Sequence, residues 1–213
     1  MTVWVGLDRG DERLGPAEHL AEAALGAALT EASLACTHLL DEPFGHYAVS
    51  AEFAQELPAA AIERLLQVPG QVGGAVVVLG EGFQLQAGEE AFVASSLAAA
   101  SRNRARSEGR AFVYQGVGEL TGTLCQQDLI ERSAIQAVEA LGSTSEPQSW
   151  LMTRDFVRPQ LRAGRLVLVV TPRADGSFQP FEVENPHVCC ADHSSADPPT
   201  LRPATGVVQS SPV

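Results

Sequence analysis

The sequence predicts an α+β fold, with α/β as the alternative: a mixed β-sheet with helices packed on one or both faces and a C-terminal β-hairpin. Three stretches carry that expectation. Residues 75–115 read as strand, strand, helix, strand. Residues 16–34 place Leu20, Leu25 and Leu29 among many alanines, which suits a helix lying close against a sheet. Residues 165–183 join an apolar β-branched run to the turn pair Asp175-Gly176 and a second extended run holding Phe178, Phe181 and Val183.

Taken in order, residues 2–7 are a short strand, and Gly15-Pro16 opens a helix reaching about Leu34, with proline in the first turn. Pro43 and Gly45 then break the helical pattern, so Cys36, His38 and His46 fall on a loop or a short strand. Ser50 is a candidate cap for a short helix, and Pro58 starts the next one, with Ile62, Leu65 and Leu66 on one face and Pro69-Gly70 as its end. In the middle of the chain, 75–79 is a buried strand, Gly80-Glu81-Gly82 a tight turn and 83–86 a second strand. Glu89 and Glu90 suit the start of a long helix, whose expected inner face is Phe92, Val93, Leu97 and Ala100 and whose end is Gly109. A strand at 111–115, a glycine-rich loop and a helix at 126–141 follow. Residues 142–149 form a linker, and 150–157 an extended segment before Arg158-Pro159.

The chain has 213 residues, 45% of them hydrophobic, which suits a single globular domain over 1–193. Residues 194–213 are rich in proline and serine and poor in large apolar side chains, so a disordered tail is expected there. All 14 basic residues are arginine. A lysine-free chain excludes Schiff-base catalysis, a pyridoxal aldimine and a Walker-type phosphate loop, each of which needs the lysine amine. The net charge of −12 and a pI near 4.8 repel phosphate backbones and anionic lipid, so neither nucleic acid nor a membrane is an expected partner. Arg102, Arg104, Arg106 and Arg110 are a local exception at the end of a predicted helix, where cations complement its dipole. The N-terminal residues lack a signal-peptide pattern, and the four cysteines lack the spacing of a secreted disulfide framework. A cytoplasmic protein with free thiols is expected.

Three stretches hold side chains able to do chemistry. The densest is His187, Cys189, Cys190 and His193: thiolate and imidazole are ligands zinc prefers, so the sequence points to a zinc-type metal site or a reactive thiol. Cys36 and His38 are conceivable additional ligands, and Asp192 or Asp155 a carboxylate that assists a bound water. Against this stands packing of one cysteine as a small buried hydrophobe, with the histidines near the surface before a loose tail. The second stretch is GVGELTG, Gly116 to Gly122, a loop type that can present backbone N–H groups to an anion. Its GxGxxxG spacing and Glu119 argue instead for a tight turn, with Thr123 capping a helix. The third is Arg154-Asp155 with Arg158 and Arg162, either an anion clamp or an internal ion-pair network, the network being favoured. Glu182 and Glu184, out of phase with Phe181 and Val183, read as a solvent-facing strand edge.

Three functional readings follow. The first is a soluble protein with a Cys/His zinc or thiol site near its C-terminus. The second is an acidic, non-catalytic binding or regulatory module that meets a basic protein. The third is an enzyme that takes a small anionic molecule through its arginines.

Overall fold

Strand β1 (Val3–Asp11) shows how the sheet is built, because alternate side chains leave it in opposite directions. Val3, Val5 and Leu7 join one apolar core, whereas Gly6 and Asp8 face the other side. Helix α1 (Leu14–Leu25) covers the first face with Ala17, Leu20, Ala21 and Leu25, a stripe at helical spacing. A 3₁₀ turn (Gly26–Glu31) leads to β2 (Leu34–Leu40) and β3 (His46–Phe53). Then come α2 (Ala59–Gln67), α3 (Pro69–Val72), β4 (Ala75–Gly80), β5 (Phe83–Gly88), α4 (Glu90–Ala105) and β6 (Arg110–Tyr114). After a second 3₁₀ turn (Val117–Glu119) the chain forms β7 (Thr123–Cys125), α5 (Gln126–Glu131), β8 (Ala137–Ala140), β9 (Trp150–Met152), β10 (Gln160–Arg162), β11 (Arg165–Pro172) and β12 (Phe178–Pro180). The computed structural model describes residues 1–42 and 44–183, and Met1–Val183 form one unit.

The result is a mixed α+β architecture on one 12-stranded sheet, ordered β5-β4-β1-β3-β2-β6-β10-β11-β12-β9-β7, with β8 beside β11. In its first half every pairing is antiparallel, and β3 lies between β1 and β2. In its second half β11 is the common strand. It takes β8 in parallel over Val167 to Val170, β10 against its start and β12 against its end, both antiparallel. A second apolar core, including Leu129, Ile135, Leu151, Leu161, Leu166, Leu168 and Phe178, fills this half. No helix among the described residues is long and apolar enough to cross a membrane.

Several local expectations are corrected. The first helix ends at Leu25, where Gly26 takes φ 50°; Gly26–Glu31 tighten into the 3₁₀ turn, and Leu34, the expected helix end, opens β2. Cys36, His38 and His46 lie on full strands, because pairing β2 with β3 satisfies their backbone groups over seven successive residues. Ser50 caps no helix; it lies buried in β3. Pro69 opens the short helix α3 at its first position instead of ending the helical stretch. The helix expected over 126–141 stops at Glu131, where the Ser133 hydroxyl donates to the Leu129 carbonyl and accepts from the Ile135 N–H. Residues 137–140 become a strand because β11 offers them a ladder and an apolar neighbour. Of 150–157, only Trp150–Met152 is strand, and Arg154 and Asp155 both take positive φ. Past β12 the phase is reversed from that expected: Phe181 is exposed and Glu182 half-buried against Arg110.

Helix α4 packs on the face opposite α1 at close range. A side chain at Gly6 would collide with the Ser96 carbonyl and lie 3.2 Å from the Ala100 methyl group. Gly6→Ala is therefore expected to cost about 1–3 kcal/mol through overpacking, measured as a lower midpoint in urea unfolding. Gly15→Ala, with open space around position 15, serves as the near-neutral control.

Candidate functional site

The predicted metal-site residues His187, Cys189, Cys190 and His193 lie outside the described residues. The two conceivable additional ligands do not face solvent, whereas Asp155 is exposed and Asp192 lies outside the described residues. Cys36 and His38 are buried on β2, and burial pushes the Cys36 thiol far above its usual value. Such a thiol is inert, because the thiolate is the species that binds metal or attacks. Among the described residues no group of three or more His, Cys, Asp or Glu side chains converges as a metal site.

What the sequence did not reveal is a layer of polar side chains between the sheet and α4. The helix turns Ser95, Ser96, Ala99, Ala100 and Asn103 inward, while Phe92, Val93 and Leu97 are only half-buried. At one end of this layer Asp8 accepts from the Ser95 hydroxyl and meets His46 Nε2 at 2.8 Å. His46 Nδ1 lies 2.6 Å from the Phe44 carbonyl, and Phe44 and Phe92 flank the ring. At the other end Asn103 donates to Ser50 Oγ at 2.8 Å, which leaves the Ser50 hydroxyl proton for His38 Nε2 at 2.7 Å. The available signal was the spacing of Ser95, Ser96, Ala99, Ala100 and Asn103, small or polar groups on one helical stripe. An apolar-periodicity reading passes over it. Asp8, His46 and Ser95 include the residue types of a hydrolase triad, but the carboxylate stands between hydroxyl and imidazole, and the side chains of Asp8 and His46 are 0% exposed. The layer holds the helix on the sheet.

The arginines expected to share one site are separated into different networks. Arg158 lies 4.4 Å over the Phe156 ring and reaches Glu18 at 3.4 Å. Arg110 pairs with Glu18 at 2.7 Å and also with Glu182. Arg162 instead pairs with Glu139 at 2.9 Å, and Asp155 accepts the Gly122 N–H at 2.7 Å. Arg158 and Arg162 each hold a carboxylate elsewhere in the chain, and neither pairs with Asp155, so the single network expected around Arg154-Asp155 is replaced by separate ion pairs. The glycine loop runs into β7 instead of directly into a helix, and Cys125, not Thr123, caps α5 by accepting the Asp128 N–H. Gly116 is required there, since a Cβ would strike the Arg132 carbonyl.

An open cleft of ≈ 1220 Å³ lies where the first 3₁₀ turn and the ends of β2 and β6 face the segment 130–136 and Leu166. Leu29, Leu34, Val113, Val117, Ile130 and Leu166 supply its apolar lining. Arg106 stands at one side, its guanidinium 3.0 Å from both Glu52 oxygens. Glu52 also accepts from Ser33 and Trp4, so the charge at this wall is already internally paired. The lining can hold apolar groups by contact and offers amide and hydroxyl groups from Gln115, Gln136 and Thr30 for hydrogen bonding.

His38 provides a measurable sign of the buried layer. Burial, helped by the positive charge of Arg102 and opposed by the Glu108 carbonyl, pushes its pKa down to about 3. The unfolded chain takes up this proton first as pH falls. His38 therefore contributes stability that is present above pH 6.5 and is lost toward pH 3, with a slope of at most about 1.4 kcal/mol per pH unit. Urea unfolding across that range is expected to show a shallower pH dependence for His38→Gln than for the parent. Comparison of the chain with protein-family models, curated proteins and solved structures finds no match.

Proposed function

We propose that the protein is an acidic, non-catalytic binding module that meets a basic partner protein. The observation that carries this reading is how the charges are paired. Most of the arginines are neutralised by carboxylates of the same chain, including Arg9 by Asp11, Arg106 by Glu52, Arg110 by Glu18 and Glu182, and Arg162 by Glu139. Glu81, Glu90, Glu119 and Glu146 are exposed and make no ion pair with a described arginine. Because each ion pair uses one arginine and one carboxylate, the excess of carboxylates stays without a cation of its own chain, and the net charge of −12 attracts a cationic surface and speeds encounter with it. Of the arginines the competing anion-binding reading uses, Arg158 and Arg162 already hold Glu18 and Glu139, which an incoming anion would have to displace. Calorimetric titration with a synthetic arginine-rich peptide is expected to show binding that weakens as salt is raised, with no binding of the glutamate counterpart. Equal affinity for the two peptides, or none for either, would overturn the proposal.

A second reading is supported by ligand chemistry: His187, Cys189, Cys190 and His193 form a zinc or reactive-thiol site. It is independent of the charge argument and of the buried Cys36 and His38. Metal analysis of protein purified without an affinity tag is expected to find about one zinc per chain, lost in Cys189→Ser and in His193→Ala. Metal-free protein with unreactive thiols at 189 and 190 would remove this reading.

A further inference from the structure

We propose that the open edge of β5 is where the partner docks, and that it takes an extended segment with uncharged residues in its middle and basic residues at both ends. The inference rests on the acidic-module reading and gives it a location. Among the described residues strand β5 ends the sheet, pairing with β4 on one side only. Its phase follows from one hydrogen bond: the Glu89 N–H donates to the Gly74 carbonyl at 2.8 Å, so odd-numbered residues bond to β4. The N–H and C=O groups of Gln84 and Gln86 consequently point away from the sheet. Exposed strand edges usually carry a charge, a proline or a bulge that discourages pairing. Here Phe83–Gly88 has none of these, and its register with β4 is unbroken over six residues.

Charge selects the occupant. Glu81 stands at the turn end of the edge and Glu89 and Glu90 at the other, all exposed, with no charged residue between. A second copy paired antiparallel and centred on Leu85 would set each Glu81 beside a Glu89, like charge against like, between two chains that each carry −12. An extended segment with arginine or lysine at each end meets the same carboxylates favourably. Main-chain pairing supplies affinity in this mode, and flanking side chains supply selectivity. Leu85, 39% exposed, offers apolar contact on one face of the added strand, and Gln84 and Gln86 offer amides on the other.

The test uses the full chain and a short synthetic peptide of alternating threonine and valine between paired arginines. Binding is expected to slow amide hydrogen exchange at Gln84 and Gln86. Gln86→Pro removes an outward N–H while leaving the β4 ladder intact, and is expected to weaken binding about tenfold or more, whereas Gln86→Thr binds as the parent. The double variant Glu81→Arg with Glu90→Arg tests the ends without touching the ladder and is expected to weaken the same peptide about tenfold or more. Binding that leaves Gln84 and Gln86 unprotected and is insensitive to these changes overturns the edge assignment while the acidic-module reading stands. Failure of this peptide and of the arginine-rich peptide together removes both. A dimer that Gln86→Pro converts to monomer, with no peptide protection, replaces the partner with a second copy.

Discussion

The close packing of α4 on the sheet is the contact on which the first half of the structure depends. Gly6 lets the Ser96 carbonyl approach β1, and Ala99 and Ala100 keep the helix near enough for Ser95 and Asn103 to reach Asp8 and Ser50. A larger face would hold the helix off and leave those groups without partners. Buried polar groups without partners cost free energy, whereas partnered ones specify a single arrangement. The opposite face follows ordinary rules, with α1 placing alanine and leucine on Val3, Val5, Leu7 and Val49.

The second half is organised by β11. Its run of buried residues accepts β8 on one edge and β10 and β12 on the other, so three short strands are stabilised by one long one. The Tyr114 hydroxyl ties β6 to this half by donating to the Val157 carbonyl at 3.0 Å, and burial raises the pKa of that phenol. The cleft opens along the same seam, where Leu34 and Val113 of the first half face Ile130 and Leu166 of the second.

Charge and edge geometry act together in the functional reading. Ion pairing uses arginines and carboxylates one for one, so the excess of carboxylates remains as the net charge of −12. The β5 edge adds directional hydrogen-bonding groups to a field that is otherwise non-specific. Long-range attraction and short-range recognition thus have separate physical sources.

The sequence by itself determined the fold class, the β4–β5–α4–β6 succession, the strong run of β11 and the acidic balance. Each depends on local period or on composition. Only tertiary structure decided that Ser95 and Asn103 face inward, that residues 137–140 leave the helical pattern for a strand, and that Arg158 and Arg162 separate. Those outcomes depend on partners far along the chain: Asp8 for Ser95, β11 for β8, Glu18 for Arg158 and Glu139 for Arg162. A polar side chain can lie inside or outside with equal local plausibility, and the group that satisfies its hydrogen bond or charge settles which.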